Sequence, residues 1–186
     1  IAILDKHTEA DLETFSHLWV KKPQMPIITS SNGCVANIDN NRTQSFDCLA
    51  IYDDDTKKVV DVTIDIDNHY AIEGATLIIP NIDGRGYGLF LLDRKQRDWI
   101  MENMTTIDDD LMRESLLIML NECNELSEFF KHKLSSRRWL NFLLGYLPEE
   151  DNYLIGSTIN GYIGRLMLEV GTAGDEARLL ELANTH

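Results

Sequence analysis

Near Asp93 the period of the apolar residues changes. Upstream, apolar and polar side chains alternate, as they must when successive side chains of a strand point to opposite faces. Downstream, apolar residues return every third or fourth position, the repeat of a packed helix. No single kind of element satisfies both periods. The expected fold class is therefore α+β with the two kinds segregated: an N-terminal helix, a small antiparallel β-sandwich, then α-helical hairpins of a helical-repeat domain. The expected boundaries are 1–24 for the helix and its linker, 25–92 for the sandwich and 93–186 for the helices.

The clearest strand is residues 60–67. Val60, Val62, Ile64 and Ile66 face one way, and Asp61, Thr63, Asp65 and Asp67 the other, so one face is buried and one is wet. Asn32-Gly33 is a hairpin signal between strands at Pro26–Thr29 and Cys34–Ile38. Further strands are expected at 45–52, 69–72, 75–79 and 87–92. They are separated by Asp53-Asp54-Asp55, Glu73-Gly74 and Gly84-Arg85-Gly86. Short strands with turns about every ten residues suggest a sandwich.

The first helix is expected over Thr8–Val20, capped by Thr8 with Asp11 as its acidic partner, and stopped by Pro23 and Pro26. After Asp93, a helix over 97–104 carries Trp99 and Ile100. Thr106 is expected to cap the next, with Asp108, Asp109 and Asp110 in its first turn, where the dipole favours negative charge. Leu126, Phe129 and Phe130 suggest a short element. Ser135 or Ser136 caps a helix whose Trp139, Phe142, Leu143, Tyr146 and Leu147 share a face. Pro148 suits the first turn of another, with Ile155, Ile159, Tyr162, Ile163, Leu166, Met167 and Val170 on one side and Gly171 as its stop. Ala173-Gly174 then turns the chain into a last helix, 175–183. Its Leu179, Leu180 and Leu182 have no cover in the sequence that follows, so further helices are expected.

The formal charge of −14 argues against a nucleic-acid partner, because phosphate binding needs clustered Lys and Arg. The nearest basic patch, Lys131, Lys133, Arg137 and Arg138, reads as a solvated helix end and loop. No apolar run approaches the ~20 residues of a membrane span. Cys34, Cys48 and Cys123 are too scattered for a disulfide framework or a zinc site. Buried free thiols are expected, with a Cys34–Cys48 pair across strands as the alternative. The chain starts at Ile1 rather than Met and has no signal-peptide pattern, so the native N-terminus is expected to lie further upstream and the compartment is left open.

Candidate chemistry is sparse. Asp61, Asp65 and Asp67 could hold Ca²⁺ only if a loop brought more oxygens; a solvated strand face is the better reading. Asp53–Asp55 and Asp108–Asp110 are turn and helix-start residues without EF-hand spacing. The histidines, His7, His17, His69, His132 and His186, include no pair at i, i+4 and no H-E-x-x-H. Gly84-Arg85-Gly86-Tyr87-Gly88 has the look of a nucleotide loop but lacks the Lys-Ser/Thr of a P-loop; a tight bend is expected. No residue of this chain is assigned a catalytic or metal-binding role.

Four segments, in order, resemble one family. Asp11-Leu12-Glu13-Thr14-Phe15-Ser16-His17-Leu18-Trp19-Val20 followed by Met25-Pro26 resembles the end of the catalytic domain in aminopeptidase N-like zinc metallopeptidases, the gluzincins. Asn81-Ile82-Asp83-Gly84-Arg85-Gly86-Tyr87 is similar to the asparagine–glycine–tyrosine stretch closing that family's β-sandwich. Trp99, then Ile107-Asp108 and Arg113, resemble the first helices of its C-terminal helical domain, and residues 144–151 its leucine–acid helix junction. Gln24 stands where the family's lead-in turn has Gly, and Gly88 and Leu89 where it tends to have Tyr and Arg.

The resemblance implies that residues 1–24 are the tail of a catalytic domain, 25–92 the spacer sandwich and 93–186 the start of a helical domain that restricts access to the active site. It implies a zinc-dependent aminopeptidase as parent, acting on peptide N-termini, with zinc in a catalytic domain upstream and no cofactor in this chain. The partners implied are that domain and further helices of the same parent. Trp19 is expected to pack on the sandwich and fix the catalytic domain's angle. Fold-level likeness does not establish function. A stand-alone interaction module is the first alternative and predicts an exposed apolar patch. A small enzyme with an unrecognised carboxylate site is the second and predicts a deep pocket with several perturbed acids.

Overall fold

The computed structural model describes residues 11–21, 25–38, 42–65, 69–126 and 133–185, without the side chains of Leu18, Trp19 and Thr185. Thr8, the Trp19 contact, Ile66, Asp67, Phe129 and Phe130 therefore lie outside the described part. Helix α1 (Leu12–Ser16) continues as a π-helical turn, His17–Lys21. Asp11 is itself the N-cap: its carboxylate accepts from the Thr14 amide at 3.0 Å and the Thr14 hydroxyl at 2.6 Å. The sequence casts Asp11 as a partner to a cap one turn earlier. Its short acceptor reaches the free amides of the turn that follows it.

Among the described residues seven strands follow: β1 (Ile27–Ser31), β2 (Cys34–Asn37), β3 (Gln44–Ile51), β4 (Lys57–Ile64), β5 (His69–Ala71), β6 (Leu77–Ile79) and β7 (Leu89–Leu91). They make a four-stranded sheet of order β5-β2-β1-β7 and a three-stranded sheet of order β4-β3-β6. Asn32 and Gly33 both have positive φ, 50° and 76°, as a two-residue hairpin between right-twisted strands requires. In β4, Val62 and Ile64 are buried while Asp61 and Thr63 are exposed, the expected alternation. The sheets are not wholly antiparallel. β7 runs parallel to β1, with Ile28 opposite Phe90. After β6 the chain leaves its sheet and travels through residues 80–88 before joining the other, a connection long enough to bring it back in β1's direction. Phe46 of β3 meets Phe90 of β7 edge-to-face, centroids 5.2 Å apart, and joins the two sheets.

The helices are α2 (Arg94–Asn103), α3 (Asp110–Glu125), α4 (Ser136–Tyr146), α5 (Tyr153–Val170) and α6 (Ala173–Thr185). Several starts differ from the sequence reading by about a turn. Asp93 caps α2 in a capping box with Gln96. Asp109, not Thr106, caps α3, because the Thr106 hydroxyl is spent on the Asn103 carbonyl in a 3₁₀ turn. Pro148 lies in another 3₁₀ turn, Leu147–Glu149, and α5 begins only after Asn152, whose side chain accepts from the amides of Leu154 and Ile155. Ala173 and Gly174 are helical rather than a turn. Thr172 and Asp175 exchange bonds across the first turn of α6, so the helix starts two residues early. Ser135 caps α4.

One apolar core runs through both halves, from Ile28 and Phe46 through Leu89, Ile100, Leu116 and Trp139 to Ile163 and Leu166. The period change at Asp93 is thus a change of element type with apolar packing continuing across it. The expected face of α4 is real: Trp139, Phe142 and Tyr146 stack in sequence, with centroids 5.5 Å and 5.7 Å apart. The expected face of α5 is equally so, with Ile155, Ile159, Ile163 and Leu166 buried. No helix among the described residues is long and apolar enough to cross a membrane.

Candidate functional site

The densest chemistry lies where the sheets meet the helices. Gln96, on the first turn of α2, is 1% exposed. Its side-chain nitrogen donates to the Ile78 carbonyl at 2.6 Å, the Ser30 hydroxyl at 2.6 Å and the Ser30 carbonyl at 3.2 Å. Its oxygen accepts from the Asp93 amide at 2.5 Å. Ser30 belongs to the four-stranded sheet and Ile78 to the three-stranded one, so one side chain ties α2 to both. A second tie is the Ser115 hydroxyl of α3, which donates to the Asn81 carbonyl at 2.6 Å. A third is Lys57 of β4, whose ammonium lies 5.1 Å from the ring centre of Trp99.

Asn81 (φ 52°) holds the glycine loop from within. Its side-chain oxygen accepts from the Gly86 amide at 2.7 Å, and its nitrogen donates to the Gly86 carbonyl at 3.4 Å. A Cβ on Gly86 would come within 2.9 Å of Phe90, Asn81 and Phe46 at once. A Cβ on Gly88 (φ 149°) would lie 2.6 Å from the Pro26 carbonyl oxygen. The glycines therefore serve close packing. The loop leads into strand β7 rather than a helix, so no helix N-terminus cradles a phosphate there.

Part of the acidic strand face meets a cation from within the chain. Asp47 and Asp61 sit opposite each other on β3 and β4. Arg85 reaches Asp47 at 2.9 Å and Asp61 at 3.2 Å, and also pairs with Asp83. Burial opposes ionisation of Asp83, but bonds from Arg85 and from the Asp47 amide hold its carboxyl below the usual range. Asp61 is thus committed to a guanidinium. Asp65 lies just beyond β4, and Asp67 outside the described residues. Asp53 and Asp54 form an exposed turn, in which Asp54 accepts from the Thr56 amide.

No group of three or more His, Cys, Asp or Glu among the described residues is arranged to hold a metal ion. His17 and His69 are exposed on separate elements; His7, His132 and His186 lie outside the described part. Cys34, Cys48 and Cys123 are free thiols. Burial pushes the thiols of Cys48 and Cys123 up to about 12, which keeps them protonated and unreactive. Of the basic patch, Lys131 lies outside the described residues and Lys133 is exposed, while the two arginines are used internally. Arg137 bonds Asp175 and the Val170 carbonyl, and Arg138 bonds Asp98 of α2 at 2.7 Å.

Two features carry chemistry to which the sequence reading assigns no role. One is a network joining α3, α4 and α5. Arg113 (side chain 9% exposed) meets Glu150 (0%) through two bonds of 3.0 Å and donates to the Ile107 carbonyl; Tyr146 donates to Glu150 at 2.6 Å. Burial opposes ionisation of Glu150, but Tyr146 and Arg113 hold its carboxyl below the ordinary value; burial and Glu150 push the Tyr146 phenol up. The other is Glu122 of α3, pushed up to about 7 by burial and by Glu125. It lines a pocket of about 320 Å³ between α3 and the glycine loop. A larger groove, about 790 Å³, opens between the start of α5 and α6, lined by Leu147, Tyr153, Leu179 and Leu180 among others. Comparison with protein-family models and with curated proteins gives no match to this chain.

Proposed function

We propose that this chain is a non-catalytic structural segment of a zinc-dependent aminopeptidase. In this reading residues 1–24 end the catalytic domain, 25–92 are a spacer sandwich and 93–186 open a helical domain that limits access to the active site. The observation that carries the structural part is the joint at Gln96. A buried amide that bonds both sheets and caps its own helix fixes the helices against the sandwich, as a spacer requires. The family assignment rests on the order of the resembling segments, from Asp11–Val20 through Asn81–Tyr87 to Arg113.

The parent gene tests it. An H-E-x-x-H with a downstream Glu should be encoded upstream of Ile1, and the longer protein should release amino acids from aminoacyl anilides with zinc bound. The chain alone should neither retain zinc nor hydrolyse the same substrates. A gene without that motif, or zinc-dependent hydrolysis by the chain alone, overturns the proposal.

One observation favours a second reading, a stand-alone interaction module. Tyr153, Leu154 and Leu180 are 85%, 71% and 66% exposed beside the α5–α6 groove. In the parent, further helices would cover this face. If the gene ends near His186 and a partner protein protects these residues from exchange, the module reading replaces the spacer.

A further inference from the structure

Helix α3 presents Leu111, Glu114, Ser115, Ile118 and Glu122 along one side of the pocket, at helical spacing. The glycine loop, with Tyr87 and Phe90, makes the opposite wall, and Met25 closes an end. Most of this lining is apolar. Asn81 is occupied by Gly86, and the Ser115 hydroxyl by the Asn81 carbonyl. No hydrogen bond or ion pair from a described residue reaches the carboxylates of Glu114 or Glu122. They lie eight residues apart on one helix, which at 1.5 Å per residue separates them by about 12 Å. Ile118 stands midway between them. An apolar slot with a carboxylate toward each end is complementary to a chain that is apolar in the middle and cationic at its ends.

The geometry points to a binding site for a linear aliphatic polyamine in the pocket between α3 and the glycine loop. Methylenes lie over Ile118 and Tyr87, both exposed, and terminal ammonium groups meet Glu114 and Glu122. The site is separate from the spacer role and does not depend on the parent being a peptidase. The raised pKa of Glu122 supports it, since a carboxylate short of counter-charge gains most from an arriving cation. Bound there, a polyamine would bridge α3 to the sandwich and stiffen the joint.

Isothermal titration of the whole chain with spermidine tests this, with n-butylamine as a one-ended probe. The expected result is one saturable site at physiological salt, with n-butylamine weaker by tenfold or more. Glu122→Gln and Glu114→Gln should each weaken spermidine about tenfold, roughly 1.4 kcal/mol. Ile118→Lys, which places an ammonium in the slot on an already exposed position, should abolish binding. Because the chain carries a net charge of −14, Asp53→Asn with Asp54→Asn, on a distant turn, is the control and should leave affinity unchanged. Binding that is absent, that does not saturate, or that the control weakens as much as Glu122→Gln does overturns the proposal.

Discussion

Replacing Gln96 by Leu isolates the joint, because the two side chains have similar volume and the residue is 1% exposed. The apolar filling is kept and the bonds are lost. The substitution removes donors from the Ile78 carbonyl and from Ser30, and the acceptor from the Asp93 amide. Ser30 keeps a weaker bond of its own to Ile78 at 3.3 Å, so Ser30 is not stranded. Net hydrogen bonds contribute about 1 kcal/mol each, so the bonds to Ile78 and Ser30 carry about 2 kcal/mol, and the Ile78 carbonyl, which keeps the Ser30 hydroxyl, is not left without a donor. Half of a capping box adds about 0.5–1 kcal/mol. The sum is about 3 kcal/mol. For a chain of this length that lowers Tm by about 6–12 °C. Differential scanning calorimetry of wild type and Gln96→Leu at neutral pH is the assay, with urea unfolding as a check on the slope. A loss under about 1 kcal/mol would refute the assignment of Gln96 as the tie between α2 and both sheets.

Glu122 gives a pH signature. Its folded pKa of about 7 lies above its usual 4.5, so between those values the folded chain holds a proton that the unfolded chain has released. Its contribution is whole below about pH 4.5 and is lost as pH rises to about 7. Glu122→Gln should therefore stabilise at pH 8 by on the order of 1–2 kcal/mol, discounted for partial solvent contact, and by nothing at pH 4.5. Urea midpoints at the two pH values measure the difference, and an equal effect at both contradicts it. Glu150→Gln weakens two charge-assisted bonds to Arg113, which keeps Asp110 and Asp151 as counter-charges, and should cost about 1.5–3 kcal/mol, against less than 0.5 kcal/mol for Asp53→Asn on the surface. Gly88→Ala meets the Pro26 carbonyl and should cost upwards of about 2 kcal/mol. Gly164→Ala, in the open on α5, should gain about 0.5–1 kcal/mol, and a loss there would show that α5 is packed against something at that face.

What was legible in the sequence was whatever a period or a local turn dictates. The alternation in β4, the Asn32-Gly33 hairpin and the apolar faces of α4 and α5 all rest on neighbours within a few residues. Helix starts were legible only to within a turn, because Thr106, Asp109, Pro148 and Asn152 are all competent start residues. The choice among them depends on which side chain is spent elsewhere, as the Thr106 hydroxyl is. The parallel pairing of β1 with β7 was not legible, since strand direction follows from the path of residues 80–88 and not from any pattern within the strands. Nor were the joint and the pocket. Gln96 binds residues 66 and 18 positions away, and Glu122 acquires its environment from a loop more than thirty residues upstream. Nothing in the spacing of either residue marks it. Arg85 was visible only as part of a bend, and its pairing with Asp47 and Asp61 appears only once β3 and β4 are paired.

A spacer must hold its two halves at one angle, so the sheets and helices should open together. Native-state hydrogen exchange measures this residue by residue. The slowest amides of β3, in the three-stranded sheet, and of α3 and α4 should share one opening free energy, equal to the global value from urea. Two well-separated values, with the helices opening while β3 stays protected, would contradict a rigid joint at Gln96 and with it the spacer role.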